Sequence, residues 1–292
     1  MNELSIAGIR RGSRFSPNHV GNDAAIFHFT AEELRKMGWT VNEYPESILM
    51  EGNGIAEPSI FNMVRDARSI RRLQQYEDNG KIVINSAYGI ENCTREKMTR
   101  LLLSNHIPHP RSLIVPTDTD PFPSLREAEL DNCWIKRGDF HAIHREDVTY
   151  VRNREEAQSI LEEYAIRGIG NAVINEHLSG DLVKFYGVAG TDFFYWFYPS
   201  SETHSKFGLE QINGTARGIP FDTVHLQSIC TQAAQVLNIQ VYGGDCIVSG
   251  ESVIRIIDFN DWPSFAPCRK EAAPYIAGRI YSLVTEALYA AV

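Results

Sequence analysis

The stretch VIRIIDFNDWPSF (residues 253–265) reads as an apolar β-strand that ends on Asp258, Asn260 and Asp261 before a Trp-Pro break. Side chains alternate between the faces of a regular strand, so Ile256, Asp258 and Asn260 are expected on one face and Ile257 and Phe259 on the other. Same-face neighbours stand about 7 Å apart, close enough for Asp258 and Asn260 to serve one cation or two adjacent ones. A hard cation such as Mg²⁺ or Mn²⁺ takes such oxygen donors and keeps room for waters and phosphates. Alone, the pattern is equally that of a polar strand end entering a turn. A partner decides between the two.

That partner is Asp245, in VYGGDCIV (residues 241–248). It precedes Asp258 by 13 residues, and Ser249-Gly250-Glu251 supplies a turn, so the two segments read as a hairpin. Asp245, Asp258 and Asn260 then converge at one end of it, unless Asp245 merely caps a turn beside its glycines. Two or three such ligands, completed by substrate phosphates, are a common way to hold Mg²⁺ for phosphoryl chemistry. Lys136 in CWIKRG and Lys184 in LVKFYGV each interrupt an apolar strand. An ammonium on a strand wall can neutralise a polyphosphate. Lys97 stands in the first turns of a helix, where a lysine is ordinarily solvated.

The 292 residues suffice for a substantial core and for two or three compact units. Hydrophobic content of 43% and charged content of 22% are those of a globular chain. A formal net charge of -9 gives no footprint for general nucleic-acid binding, though a local basic pocket stays open. Cys93, Cys133, Cys230, Cys246 and Cys268 are scattered without a CxxC pair, which argues against a disulfide framework or zinc ribbon and suits a reducing compartment. MNELSIAGIRRG has no apolar leader core, and no segment approaches roughly 18 apolar residues in a row. A cytoplasmic protein without a membrane partner is the expectation. The sequence leaves a homo-oligomer open.

Strands and helices alternate through the first third: a strand over 4–10, a helix from about Asn22 to Met37 closed by Gly38, a strand at TVNEY, an Arg-rich helix from Ala67 to Glu77, and a strand over 81–86. That order predicts a small parallel sheet covered by helices. Thr94 is expected to cap a helix bearing Met98, Leu101 and Leu102, which Pro108 stops. Strands at RSLIV, CWIKRG and NAVINEHL follow. A Pro-rich loop (116–123) follows the first of them, and a helix entered through an Asn153–Glu156 capping box precedes the last. LVKFYGV and FFYWFYP form a further hairpin, then come helices over 223–237 and from about Lys270.

On these residues the chain resembles the ATP-grasp superfamily, in particular the glutathione synthetase and ribosomal-protein glutamate ligase branch. The resemblance covers nearly the whole chain and rests on the order and spacing of several weak motifs. It implies an α/β fold, α+β in its C-terminal part: a small N-terminal α/β domain (1–90), a small lobe with its leading helix (91–178) and a metal-binding lobe (179–292). NSAYGIENCTREKMTRLLLSNHIPHP resembles the segment with the family's first lysine, implying Lys97 as a phosphate ligand, and CWIKRG that with the second, implying Lys136. VINEHLSGDLVKFYGV resembles the hinge, which implies Glu176, His177 and Leu178 at the adenine and Asp181 and Lys184 nearer the ribose and phosphates. Asp245, Asp258 and Asn260 match the metal ligands. ATP and Mg²⁺ (or Mn²⁺) are the implied cofactors, and a small-molecule carboxylate and amine the implied substrates.

Two departures stand out. RGDFHAIHRED takes the place of a glycine-rich phosphate loop, with only Gly138 and with His141 and His144 in an HxxH arrangement that is a phosphate contact, a metal site or an exposed polar loop. Asp258 stands where most members carry Glu, and its Asp-x-Asn form also resembles the inositol polyphosphate kinases. The implied activity is a ligase that activates a carboxylate as an acyl phosphate for attack by an amine or similar nucleophile. The alternatives are a kinase of that type or a non-catalytic nucleotide-binding protein. Arg11, in IRRGSRF, and Arg269, in SFAPCRK, are the candidate acceptor-side arginines, with Trp262 and Phe265 as candidate pocket walls.

Overall fold

The computed structural model describes residues 4–15, 20–51, 54–140, 145–199 and 212–290. The chain opens with strand β1 (Ser5–Arg10), helix α1 (Val20–Lys36), strands β2 (Thr40–Pro45) and β3 (Ser59–Asn62), helix α2 (Ala67–Asp78) and strand β4 (Ile82–Ile84). The strands pair in the order β2-β1-β3-β4, all parallel, as the alternation of elements predicts. Strand β3 has no counterpart in the sequence reading. Its four residues are all buried, so they show no polar alternation to betray a strand. Gly38 turns at a φ of 87° just beyond α1, a conformation glycine adopts without a Cβ penalty.

Helices α3 (Ala87–Asn92) and α4 (Arg95–Ser104) lead into the second unit. Thr94 is the residue before α4, but its hydroxyl donates to the Glu91 carbonyl at 2.8 Å and makes no cap, correcting the expectation. Strand β5 (Ser112–Pro116), helix α5 (Phe122–Glu127), strands β6 (Cys133–Arg137) and β7 (Val148–Val151), helix α6 (Arg154–Ile166) and strand β8 (Asn171–Glu176) build an antiparallel sheet of order β5-β8-β6-β7. The Pro-rich stretch therefore ends inside a short helix. Asn153 caps α6 by accepting from the Glu156 amide at 2.8 Å, while Glu156 reaches the Arg152 amide, so only half of the box forms. Ala157, Leu161 and Tyr164 of α6 pack on Ile135 and Ile174 of the sheet.

The third unit holds strands β9 (Asp181–Val188) and β10 (Phe194–Phe197), helix α7 (Thr223–Leu237), strands β11 (Val241–Val248) and β12 (Ile254–Asp261) and helix α8 (Arg269–Ala290). Its sheet runs β10-β9-β11-β12, and both expected hairpins are present. Helix α7 buries Leu226, Ile229, Cys230, Ala233 and Leu237 against Val183, Phe185 and Cys246 on one face. Helix α8 instead joins the core of the first unit, where Ile276, Ile280 and Val284 meet Ile26, Phe27 and Leu34 of α1.

Strand β12 departs from regular alternation. Asp245 pairs with Asp258 but Cys246 pairs with Ile256, so Ile257 is an extra residue in a β-bulge. Asp258 and Asn260 keep one face, whereas Ile256 turns to the other and is fully buried with Phe259 and Cys246. The expected company of Ile256 with Asp258 is thereby corrected. The bulge re-aims the strand at Asp258 and Asn260.

Candidate active site

The register of the third sheet places Lys184 of β9 opposite Asp245 of β11, and Asp245 opposite Asp258 of β12. One step along, Tyr186, Gly243 and Asn260 form the next row on the same face. The Lys184 ammonium donates to both Asp245 oxygens, at 3.2 and 3.3 Å. Asp245, Asp258 and Asn260 thus share one face, which fits the oxygen-rich shell of a hard cation. Among the described residues no group of three or more His, Cys, Asp or Glu side chains gathers as a metal site, here or elsewhere; this face offers two carboxylates and one amide.

The second sheet delivers cations to this face. Lys136, at the end of β6, is buried and donates at 3.0 Å to the carbonyl of Ile257, the bulged residue. Burial, then the neighbouring Arg95 guanidinium, lowers its pKa to about 8, against the pull of Asp258 and Asp245. His109 lies beside it, bonded through Nδ1 to the Ile256 carbonyl at 2.7 Å. Burial and the Lys136 charge lower its pKa to about 4, so it is neutral at pH 7. Arg95, the first residue of α4, places Nη2 3.4 Å from Asp258 Oδ2. Its Nε and Nη1 are buried without a hydrogen-bond partner among the described residues. Each such unpaired donor costs roughly 1–3 kcal/mol, a cost that phosphate oxygens would remove. These orphaned donors and the buried Lys136, beside the oxygen-bearing side chains of Asp245, Asp258 and Asn260, are a donor set that fits a metal-bound polyphosphate.

Lys97 points elsewhere. It pairs with Glu91 at 2.9 Å and is 48% exposed. Two helical residues subtend about 200°, so Arg95 and Lys97 cannot face the same cleft. The sequence reading missed Arg95, although its helical partners Met98, Thr99 and Leu102 are all buried.

Residues 177–180 cross from β8 to β9. Here Glu176 is held by Arg111, accepting from its amide at 2.8 Å and its Nε at 2.9 Å. His177 accepts from the Trp134 indole at 3.1 Å and lies 5.0 Å from the Tyr150 ring, and partial burial lowers its pKa. Leu178 is half-buried beside it. Asp181 is buried, with both oxygens accepting backbone N–H bonds from Arg217 and Ile219 at 2.8 and 2.7 Å. Burial pushes its carboxyl up, yet these bonds prevail and its pKa is lowered. Its carboxylate therefore anchors the 217–219 backbone rather than facing the cleft.

The acceptor-side arginines are also engaged. The Arg11 side chain is only 7% exposed, donating to the Met63 and Trp262 carbonyls at 3.1 and 2.9 Å and pairing with Asp23 at 3.0 Å. Arg65 donates to the Asp261 carbonyl and pairs with its carboxylate, both at 3.1 Å. Arg11 is thereby corrected from a free acceptor ligand to a strut between the first and third units. Arg269 donates to Asn22 Oδ1 at 2.7 Å, while its buried Nε has no partner among the described residues. Trp262 and Phe265 are fully buried core residues. His141 and His144 lie outside the described residues.

No family model matches the sequence, and no curated protein matches it. Solved structures do. D-alanyl-alanine synthetase A from Vibrio cholerae superposes at a TM-score of 0.69 with 9% identity, over 97% of this chain and 98% of that one. D-alanine–D-alanine ligase from Bacillus anthracis, complexed with ATP, gives 0.69 with 13% identity, over 99% and 98%. The ATP-grasp ligase PsnB, with minimal precursor, Mg and ADP, gives 0.62 with 17% identity, over 96% and 99%. The chain has the fold of the ATP-grasp ligases. No helix among its described residues is long and apolar enough to cross a membrane.

Proposed function

We propose that the protein is an ATP-dependent ligase that activates a carboxylate as an acyl phosphate for attack by an amine or similar nucleophile. The observation that carries this reading is the meeting of two buried cations, Lys136 with the Ile257 carbonyl and Arg95 with the Asp258 carboxylate, on the facing sheet. Such a pairing of cations and oxygen ligands across a cleft suits a metal-bound triphosphate. The adenine belongs at the hinge, along the backbone of 176–178 and beside His177 and Leu178. Lys136, Arg95 and Lys184 reach its phosphates. Asp245, Asp258 and Asn260 would hold Mg²⁺ or Mn²⁺, which when bound draws charge from the transferring phosphoryl group. Mn²⁺ and Mg²⁺ share the same hard-donor preference, so either serves.

In the reaction a carboxylate oxygen of the substrate attacks the γ-phosphorus, the bond to the β-phosphate oxygen breaks, and ADP leaves. The amine nitrogen then attacks the acyl carbon, inorganic phosphate leaves, and the nitrogen loses a proton. Positioning and charge stabilisation account for such chemistry without a protein nucleophile. Trapping with hydroxylamine tests it, because an activated acyl group yields a hydroxamate, with ADP as co-product if it is an acyl phosphate, whereas a phosphorylated alcohol yields none. Mg-dependent ATP binding together with a hydroxamate from some carboxylic acid supports the reading. ATP binding with phosphorylated alcohol as the only product would replace it with a kinase.

A further inference from the structure

The direction of β9 orders the cleft. The strand starts at the hinge with Asp181, passes Lys184 in the metal row and Tyr186 in the next row, and ends at Val188 in the core of the first unit. With the base at the hinge and the phosphates at the metal row, the reacting end of the nucleotide faces the row of Tyr186, Gly243 and Asn260, which β10 extends with Tyr195. This placement rests on the ligase reading above.

That row carries no charged side chain. A Cβ at Gly243 would lie 2.6 Å from Tyr186 Cδ1 and 2.7 Å from Pro263 Cγ, so the tyrosine ring lies across the step between Asp245 and Asn260. Tyr186 stands 5.8 Å from Phe197 and 5.0 Å from Phe265, and Tyr195 stands 5.9 Å from Phe197. Tyr186, Tyr195 and Phe197 are all half-buried, and the Tyr186 hydroxyl has no hydrogen-bond partner among the described residues. Of the arginines on this side of the molecule, Arg11 and Arg65 are engaged by Asp23 and Asp261, and Arg269 donates to Asn22. A small dipolar amino acid needs a charged partner at each end, and among the described residues the charges beside this row, Lys184 and Asp245, are already paired with each other. A flat apolar body gains from stacking on such rings, with a phenol at hand for a polar substituent.

We infer that Tyr186, with Tyr195 and Phe197, forms the acceptor subsite, and that the carboxylate activated here belongs to an aryl or similarly flat unsaturated acid. The reacting carboxylate lies at the metal row while the ring rests on Tyr186. Tyr186 is then the specificity-determining residue of the site.

The test is saturation-transfer NMR with trans-cinnamate and with D-alanine as probes, on protein loaded with a non-hydrolysable ATP analogue and Mg²⁺. The wild type is expected to transfer saturation to the cinnamate ring and to bind it at least tenfold more tightly than D-alanine. Tyr186→Ala is expected to weaken cinnamate at least tenfold, and Tyr186→Phe by less than threefold. Preference for D-alanine, or cinnamate affinity unchanged in Tyr186→Ala, overturns the inference. The probe preference of the wild type decides the matter even where a variant fails to fold. Tyr186-dependent cinnamate binding with no hydroxamate from any acid would sink the ligase reading and leave Tyr186 as an aryl-binding residue only, without an activated carboxylate. Hydroxamate from aliphatic amino acids but not from aryl acids would do the reverse.

Discussion

Removing the carboxylate of Asp261 should cost the protein far more than its single side chain suggests. Asp261 closes β12, its side chain is 1% exposed, and it stands 3.1 Å from Arg65 and 3.8 Å from Arg11. The Arg65 and Arg11 side chains are only 9% and 7% exposed, and Asp23 is the other acid paired with Arg11. Asp261→Ala therefore leaves two buried cations facing one buried anion. Breaking one side of a buried pair costs about 3–5 kcal/mol, because the orphaned charge stays desolvated. Replacing both members with apolar groups of similar volume is often neutral. Asp261→Leu combined with Arg65→Met should accordingly recover most of the loss, leaving Arg11 with Asp23. Equilibrium denaturation in guanidinium chloride, followed by tryptophan fluorescence, measures both, with Trp262 packed at the junction. A loss below about 1 kcal/mol for Asp261→Ala, or a double variant no better than the single, would refute the electrostatic account.

Four further outcomes are expected. Arg95→Met should weaken Mg-ATP binding at least tenfold by calorimetry, whereas Lys97→Met should change it less than threefold; the opposite ranking would return Lys97 to the phosphate site. Lys136 has a folded pKa of about 8 against about 10.5 in the unfolded chain, so its charged form opposes folding. That penalty is fully present below pH 8 and fades as pH rises towards 10.5, amounting to about 3 kcal/mol at most. Lys136→Met should hence stabilise the nucleotide-free protein at pH 7 and not at pH 10, as thermal unfolding at both would show. Gly244→Ala would bring a Cβ to within 2.2 Å of the Asp258 carbonyl, so it should lower stability by about 1–3 kcal/mol and weaken Mg-dependent ATP binding. Asp245→Asn should leave the fold intact by circular dichroism and shift the Mg²⁺ dependence of ATP binding to higher concentration.

The sequence conveyed most of the architecture because most elements carry a clear period or punctuation. Helix α7 was readable over all its residues, and both hairpins of the third sheet were fixed by Gly-rich turns between apolar runs. Strand β3 was invisible because four buried residues have no alternation, and α3 because six residues give no helical period. Arg95 was legible but missed: it shares an i, i+3, i+4, i+7 face with Met98, Thr99 and Leu102, whereas Lys97 does not. The engagement of Arg11 and Asp181 was beyond reach. Their partners lie 251 and 38 residues away, and only three-dimensional packing reveals that those hydrogen bonds are already made. The bulge at Ile257 was likewise hidden, since an extra residue in a strand leaves its composition unchanged.

The packing of α8 against α1 has a consequence for the order in which the chain can be made. Domains emerging from a ribosome usually fold as they appear, N-terminal first. Here the core around Ile6, Ile26 and Phe27 is completed by Ile276, Ile280 and Val284, near the opposite end of the sequence. The first sheet must therefore wait, with one wall bare, until α8 has been synthesised. A fragment ending before α8 would expose that wall, so α8, though it follows the third sheet in the chain, acts as the closing stitch of the first sheet's core.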